Sequence, residues 1–299
     1  VTLMLFTCVC RPTLAQGPKK PTQPSGPAHY ALVVLPDSAG VHSAGSAAGL
    51  NELRNDSGSL LGIEVVGAVY SSGQAYYWLL DDTGKVRSAQ PLLDPIGAES
   101  EMFFTGAQDI NTGGVVVGFG GTYPDYQALV WCTVTSLPQE LPLPEFADSG
   151  LAYNINNHGL IVGELRTADA SYLAVWGIKS GGSFVGPAVL ADDLVRDDPD
   201  VNDQGVVVAT TSSGACSWNV SWNGSSLSVS GADLLPLWVV TGVNEFGDVC
   251  GEYIRDGVPQ GCILTASGAI REVADLVNNK RYATSEHPVL DLNDAANLQ

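Results

Sequence analysis

A chain of 299 residues with 45% apolar content can bury a substantial core, yet only 15% of it is charged and it holds 34 glycines and 17 prolines. That mix suits many short strands joined by tight turns and excludes a protein built of long helices. Thirty-two Asp and Glu against 13 Lys and Arg leave a net charge of −19, which repels phosphate backbones and anionic lipid and so argues against nucleic-acid or membrane-surface binding. It favours cationic partners, divalent ions or a saline medium, with a solvated acidic surface as the plainest reading.

The chain opens with an apolar run, Leu3 to Cys10, followed by Thr13-Leu14-Ala15 and Gln16. This is the pattern of a secretory signal peptide cleaved after Ala15. No Lys or Arg precedes the run, so the basic flank is missing; a start codon placed too late, or a shortened gene, would account for the opening Val1. An apolar N-terminal strand is the alternative. The run is too short to span a bilayer, so no membrane insertion is expected of the mature form. Residues 16–28 read as a Pro-rich leader without core-forming side chains, and 29–299 as one repeat domain.

Self-similarity then dominates. An Asn-x-x-Gly turn followed by an aliphatic run recurs at Asn55/Gly58, Asn111/Gly114, Asn156/Gly159, Asn202/Gly205 and Asn244/Gly247, with a degenerate sixth copy at Asn293. From Asn55 to Asn293 the interval averages roughly 48 residues, the length of a propeller blade. Asn tolerates the left-handed region and closes a local turn; Gly three residues on supplies the positive φ of a hairpin loop. The next strand ends on Gly62, Gly118, Gly163, Ala209 or Gly251, a small residue that predicts close approach of neighbouring backbone. Trp131, Trp176, Trp222 and Leu264 each lie 20 residues after their repeat's Asn, and Trp78 lies 23 after Asn55. A bulky residue at one phase of every unit behaves as core between units rather than as a ligand ladder.

Turns follow at Asp82-Thr83-Gly84, Ser180-Gly181-Gly182, Asn223-Gly224 and Ser267-Gly268, and fourth strands are predicted at Pro91 to Asp94, Val189 to Leu194, Ala232 to Leu235 and Val273 to Leu276. Each unit is thus a four-stranded antiparallel meander that buries both faces only by stacking on its neighbours. The expected fold is all-β, a β-propeller of about five four-stranded antiparallel blades, or six or more if the chain is truncated. Tyr30 to Leu35 and Val289 to Leu292 read as single strands at the two ends, placed to close a ring by pairing.

Cys132, Cys216, Cys250 and Cys262 lack the C-x-x-C spacing of a zinc or redox site. Cys250 and Cys262 flank Arg255-Asp256-Gly257, which makes them the candidate disulfide, with two small buried thiols as the alternative. Cys132 and Cys216 fall in different repeats and are expected to be free and buried.

Two of the copies carry a wider likeness. Ala152 to Gly163 followed by Tyr172 to Trp176, and Asp109 to Gly118 followed by Ala128 to Trp131, resemble the HAF-family extracellular repeat of bacteria. The likeness runs over roughly residues 30 to 293. It implies an exported, secreted or cell-surface protein of repeated β units (a periplasmic one is the alternative) and brings no catalytic residues with it.

Chemistry is sparse. Asp200-Val201-Asn202-Asp203-Gln204-Gly205 comes nearest to a calcium loop, but Gln204 and Val206 stand where further acids belong. No bound cofactor or metal is therefore expected, calcium being the one alternative. His29, His42, His158 and His287 are scattered, and no nucleophile elbow, P-loop or dinucleotide fingerprint occurs. The leading functional expectation is a binding module for a protein or a glycan, using variable loops on one propeller face. The rival is a polysaccharide-active enzyme, glycosidase or lyase, with carboxylates such as Asp192-Asp193 or Asp197-Asp198 at the channel mouth. A structural cell-surface repeat is the third.

Overall fold

β-branched and aliphatic runs bounded by turn residues produce strands throughout, and every described sheet is antiparallel. The computed structural model describes residues 5–7, 31–37, 40, 44–95, 103–194 and 199–272. A short pair, β1 (Leu5–Thr7) and β2 (Ala31–Val33), stands apart from five meanders. Blade 1 comprises β3 (Gly45–Arg54), β4 (Leu60–Val69), β5 (Gln74–Asp81) and β6 (Val86–Pro91). Blade 2 comprises β7 (Phe104–Ile110), β8 (Val116–Thr122), β9 (Asp125–Trp131) and β10 (Gln139–Glu140). Blade 3 comprises β11 (Ser149–Ile155), β12 (Leu160–Arg166), β13 (Ser171–Ile178) and β14 (Phe184–Ala191). Blade 4 comprises β15 (Asp200–Val201), β16 (Val206–Thr211), β17 (Gly214–Trp222) and β18 (Leu227–Val229), with β19 (Asp233–Leu234) also pairing with β17. Blade 5 comprises β20 (Val239–Val243), β21 (Val249–Arg255), β22 (Val258–Leu264) and β23 (Ile270–Glu272). Together they form a five-bladed β-propeller, in which the first strand of each blade packs against the first strand of the next.

Four apolar clusters fill the spaces between successive blades, and a fifth covers the other face of blade 1 with help from Val33 and Leu35. Trp131, Trp176 and Leu264 sit in three of these interfaces, and Trp78 in the fifth cluster. Their indoles also latch the chain that enters each blade: Trp78 Nε1 donates to the carbonyl of Pro36 at 2.6 Å, Trp131 to Leu93 at 2.7 Å and Trp176 to Pro142 at 2.9 Å. An interior N–H placed in apolar surroundings needs such an acceptor.

Blade 4 departs from the sequence reading. Trp222 is only half buried, lying over Gly177, where a Cβ would come within 2.7 Å of its ring. The equivalent core position is held by Trp218, which pairs with Val207 as Trp176 pairs with Ile161. The cause is a hairpin closed early by the Thr211–Gly214 pair, which moves the third strand past the constant spacing.

Blade 1 is shifted in the opposite sense. Gly118, Gly163 and Gly251 each face a bulge in their own first strand, where an added Cβ would lie 2.0–2.1 Å from a carbonyl oxygen. Gly67 does the same in blade 1 at 1.9 Å, so the residue corresponding to Asn111 is Asn51 rather than Asn55. Asn55 and Gly58 make a real turn, with the Asn55 Oδ1 accepting from the Ser57 and Ser59 amides. That turn tips an extended hairpin, because the pairing runs on from Asn51–Glu64 to Arg54–Leu60. Ala209 is tolerated in blade 4 because β15 is two residues long and carries no bulge.

Two further expectations need correction. The fourth strands begin directly after their turns, earlier than predicted: Pro91 to Asp94 is mostly crossover, with Leu92 in the inter-blade core; Val189 to Leu194 is strand only as far as Ala191, with Leu194 in the core; Ala232 to Leu235 holds the short β19 that pairs with β17; and Val273 to Leu276 lies outside the described residues. β2, within the predicted Tyr30 to Leu35 strand, pairs with β1; its expected partner, Val289 to Leu292, and Asn293 lie outside the described residues. Cys250 and Cys262 are free thiols. Cys250 pairs with Ile263 and Cys262 with Gly251, and neighbouring residues on a strand point to opposite faces, so the two sulfurs flank the sheet from either side.

The asparagines of blades 2 to 4 explain why their turns recur. Each Oδ1 accepts from two amides of its own turn: for Asn156 these are His158 at 3.0 Å and Leu160 at 2.9 Å. Each Nδ2 reaches into the following blade. Asn111 donates to the Asn156 carbonyl at 3.1 Å, Asn156 to Asn202 at 2.9 Å and Asn202 to Asn244 at 2.8 Å. Asn244, in blade 5, closes its turn by accepting from the Phe246 and Asp248 amides, while its Nδ2 turns back to Asp248 at 3.5 Å. A parallel line runs one residue on: the Thr112 amide donates to Asn157 Oδ1, the Asn157 amide to Asp203 and the Asp203 amide to Glu245. Asp109 and Asp200 add a third link by accepting the Ile155 and Val243 amides.

The turn glycines, alike in sequence, differ in their surroundings. Gly114, Gly159, Gly205 and Gly247 have φ of 75°, 78°, 80° and 78°, and each donates its amide to the carbonyl of its own asparagine at 2.9–3.1 Å. A Cβ would meet nothing at Gly114, and only ordinary side-chain contact at Gly159 (Ile178, 3.4 Å) and Gly247 (Ala266, 3.6 Å). These three, half buried, are required for their backbone angle alone rather than for want of room. At Gly205, which is buried, the same atom would fall 2.0 Å from the Val220 carbonyl oxygen. Gly58, with φ of 79°, stands in open solvent at the hairpin tip.

Asn156→Ala strands two turn amides and the Asn202 carbonyl in a buried site. It is expected to cost about 3 kcal/mol, read as a lowered thermal midpoint, whereas Asn55→Ala at the exposed tip is expected to stay within about 1 kcal/mol.

Candidate functional site

The propeller has two unlike ends. The Asn turns crowd one, together with the turns between third and fourth strands. At the latter, Asp81 accepts from Thr83 and Lys85, and these bonds, the Thr83 hydroxyl's first, hold its carboxyl down to about 2. This end is committed to holding blades together.

The opposite end carries the hairpins between second and third strands and the crossovers between blades, and there an array of aromatic rings lies at the surface. Phe104, Phe119 and Tyr126 share one face of blade 2, because Phe104 pairs with Gly121, which pairs with Tyr126, and Phe119 stands two residues away. Gly106 makes the room: a Cβ there would meet Phe119 Cζ at 2.9 Å and Phe104 Cε1 at 3.4 Å. Ring centroids run from Tyr70 to Phe104 at 6.2 Å, on to Phe119 at 6.0 Å and Tyr126 at 5.0 Å, and from Tyr126 to Tyr123 at 6.2 Å. Tyr123 is 76% exposed and Tyr70 56%, while the three between them are half buried. Phe146 and Tyr172, 5.1 Å apart, repeat the arrangement at the edge of blade 3. Contiguous exposed aromatic surface of this kind is uncommon on a protein with no partner.

The surrounding charge has one sign. Between Arg87 and Arg166 the sequence contains no Lys or Arg but nine Asp and Glu. Exposed Asp125 stands between Tyr123 and Tyr126, and exposed Glu145 and Asp148 flank Phe146. The array is hidden in the sequence because its exposed ends, Tyr70 and Tyr123, come from hairpins, while Phe104, Phe119 and Tyr126 lie on three strands of blade 2 and meet only when those strands pair. The run Tyr123-Pro124-Asp125-Tyr126 was the legible signal.

The carboxylates of the interior are occupied. Glu164, 1% exposed, takes Arg166 at 2.6 Å and the Tyr153 hydroxyl at 3.0 Å. Glu64 accepts from Asn51 and Tyr77; burial first, and this bond second, push the Tyr77 hydroxyl well above its usual range. Asp193 accepts from Ser212, Asp192 is exposed, and Asp197 and Asp198 lie outside the described residues. In the loop nearest to a calcium site, Asp200, Asn202 and Asp203 already accept protein amides, which leaves their oxygens facing donors rather than an ion. Among the described residues no group of three or more His, Cys, Asp and Glu is placed to hold a metal, and no helix is long and apolar enough to cross a membrane. His158 is part of the Asn156 turn, while His29, His42 and His287 lie outside the described residues.

Of the thiols, Cys250, Cys262 and Cys216 are buried and Cys132 is half buried. Burial, with Glu252 and Glu272 nearby, pushes Cys262 up to about 11. A thiol that stays protonated and enclosed does not react. At pH 8 a disulfide-exchange reagent is therefore expected to label Cys132 first among these four in the native protein. A mass consistent with a Cys250–Cys262 bridge would contradict the strand register.

No protein-family profile and no curated protein sequence matches the chain. Solved structures similar to it include a protein designated a gluconolactonase, with 10% identity, a TM-score of 0.41, and 71% of this chain and 73% of that chain covered. TolB from Acinetobacter baumannii aligns at 10% identity with a TM-score of 0.43, covering 82% of this chain and 56% of that one. A catalytically inactive virginiamycin B lyase from Staphylococcus aureus, solved with quinupristin, aligns at 13% identity and a TM-score of 0.30 over 76% and 84%.

Proposed function

We propose that this chain is an exported binding module of the extracellular-repeat kind, and that it meets a protein or glycan partner through the aromatic end of the propeller. One observation carries the reading: five rings in successive neighbouring pairs from Tyr70 to Tyr123, outside the inter-blade clusters, with Gly106 leaving room for Phe104 and Phe119. Rings on a rigid scaffold offer large contact area at small entropic cost, which is what a recognition surface needs. The export part of the proposal rests on Leu3 to Cys10 followed by Thr13-Leu14-Ala15, and on the resemblance of the repeats. The division of labour between the two ends supports the same reading, since loops held by a stiff frame are where binding residues gather.

The test is a screen on glycan and protein arrays with the native chain and with a Tyr70→Ala/Tyr123→Ala double variant, whose exposed sites leave the core intact. The expected result is a ligand held by the native chain and weakened at least roughly tenfold in the variant. Silence on both arrays, together with measurable turnover of a polysaccharide, would replace the binding reading with the enzymatic one.

A further inference from the structure

We infer that the partner of the aromatic end is a cationic polypeptide segment, one that presents arginine or lysine side chains to the row from Tyr70 to Tyr123. The inference rests on the binding role proposed above and adds the chemistry of the ligand. Two independent features of the surface agree on it. The first is the ring geometry. The face of an aromatic ring is the negative end of its quadrupole, and a guanidinium or ammonium lying over it is attracted. Tyr123 and Tyr70, being more than half exposed, have ring surface open to an incoming cation, and the half-buried Phe104, Phe119 and Tyr126 continue that surface between them.

The second feature is charge. Between Arg87 and Arg166 the sequence has no Lys or Arg, the exposed carboxylates described there are Asp125, Glu140, Glu145 and Asp148, and Arg166 itself is held by Glu164. Exposed Glu145 and Asp148 flank Phe146 in the chain, at the second ring pair. An arginine stacked on a ring keeps its N–H edge free for a carboxylate nearby. The net charge of −19 would steer such a ligand in from a distance. A neutral sugar uses the rings but draws nothing from the absence of cations, so the charge pattern favours the peptide.

The experiment is a calorimetric titration of the full chain with a short flexible peptide bearing two arginines and with its counterpart bearing two citrullines, which keep the shape and lose the charge. The arginine peptide is expected to bind at least tenfold more tightly. Tyr123→Leu, which keeps apolar area and removes the ring, should weaken it about fivefold. Glu140→Gln, exposed on the outer strand of the same blade, should leave it unchanged and so separate local contact from the general field. Equal affinity for the citrulline peptide, or indifference to Tyr123→Leu, overturns the inference. If a neutral oligosaccharide such as cellohexaose binds instead and is lost in Tyr123→Ala, the cationic assignment falls while the binding role stands. If neither ligand class responds to the ring substitutions, both fall.

Discussion

The architecture depends on a buried primary amide used in two directions at once. An asparagine side chain has an acceptor and a donor on one carbon, and in blades 2 to 4 the acceptor closes the residue's own turn while the donor reaches the backbone of the following blade. An acceptor-only residue cannot do both: aspartate would close the turn and lose the donor that reaches the next blade. The apolar clusters supply most of the free energy of stacking, but apolar contact is indifferent to sliding. The amides remove that freedom by requiring each turn to lie at hydrogen-bonding distance from the next, which sets the register of blade on blade.

This dual use also explains which parts of the fold were legible. The turns recur with near-constant spacing because two blades constrain each asparagine of blades 2 to 4, and Trp78, Trp131 and Trp176 recur because each fills one face of its blade and holds an entering chain. Both signals are fixed points of a stacking geometry, so they survive in sequence. Where a hairpin changes length the spacing misleads. In blade 4 the early closure between Thr211 and Gly214 puts Trp218 where Trp222 was expected. In blade 1 Gly67 comes sixteen positions after Asn51, whereas Gly118 comes seven after Asn111, and the conspicuous Asn55 turn belongs to the extra length. Glycine opposite the first-strand bulge proved the better marker, because the clash it avoids is with backbone and cannot be relieved by a rotamer.

The aromatic end was not legible for the complementary reason. Its residues answer to no repeated constraint: Tyr70 and Tyr123 come from hairpins, Phe104 and Phe146 from the entries to blades, and only the folded chain brings them side by side. Pairing of the cysteines failed as an expectation through a parity that spacing alone does not reveal. Two residues on adjacent strands share a face only when they oppose one another or differ by an even step, and Cys250 and Cys262 differ by one.

The asparagine links of blades 2 to 4 all point the same way along the chain, each blade giving to its successor. A series with that polarity has the same join at each of these steps, so a duplicated repeat carrying its own asparagine can be inserted between any neighbours from blade 2 to blade 5 and meet a ready donor before it and a ready acceptor behind it. Blade number and loop content can then drift separately over generations, the first by copying whole units and the second by substitution at the far end, without either change having to wait for the other.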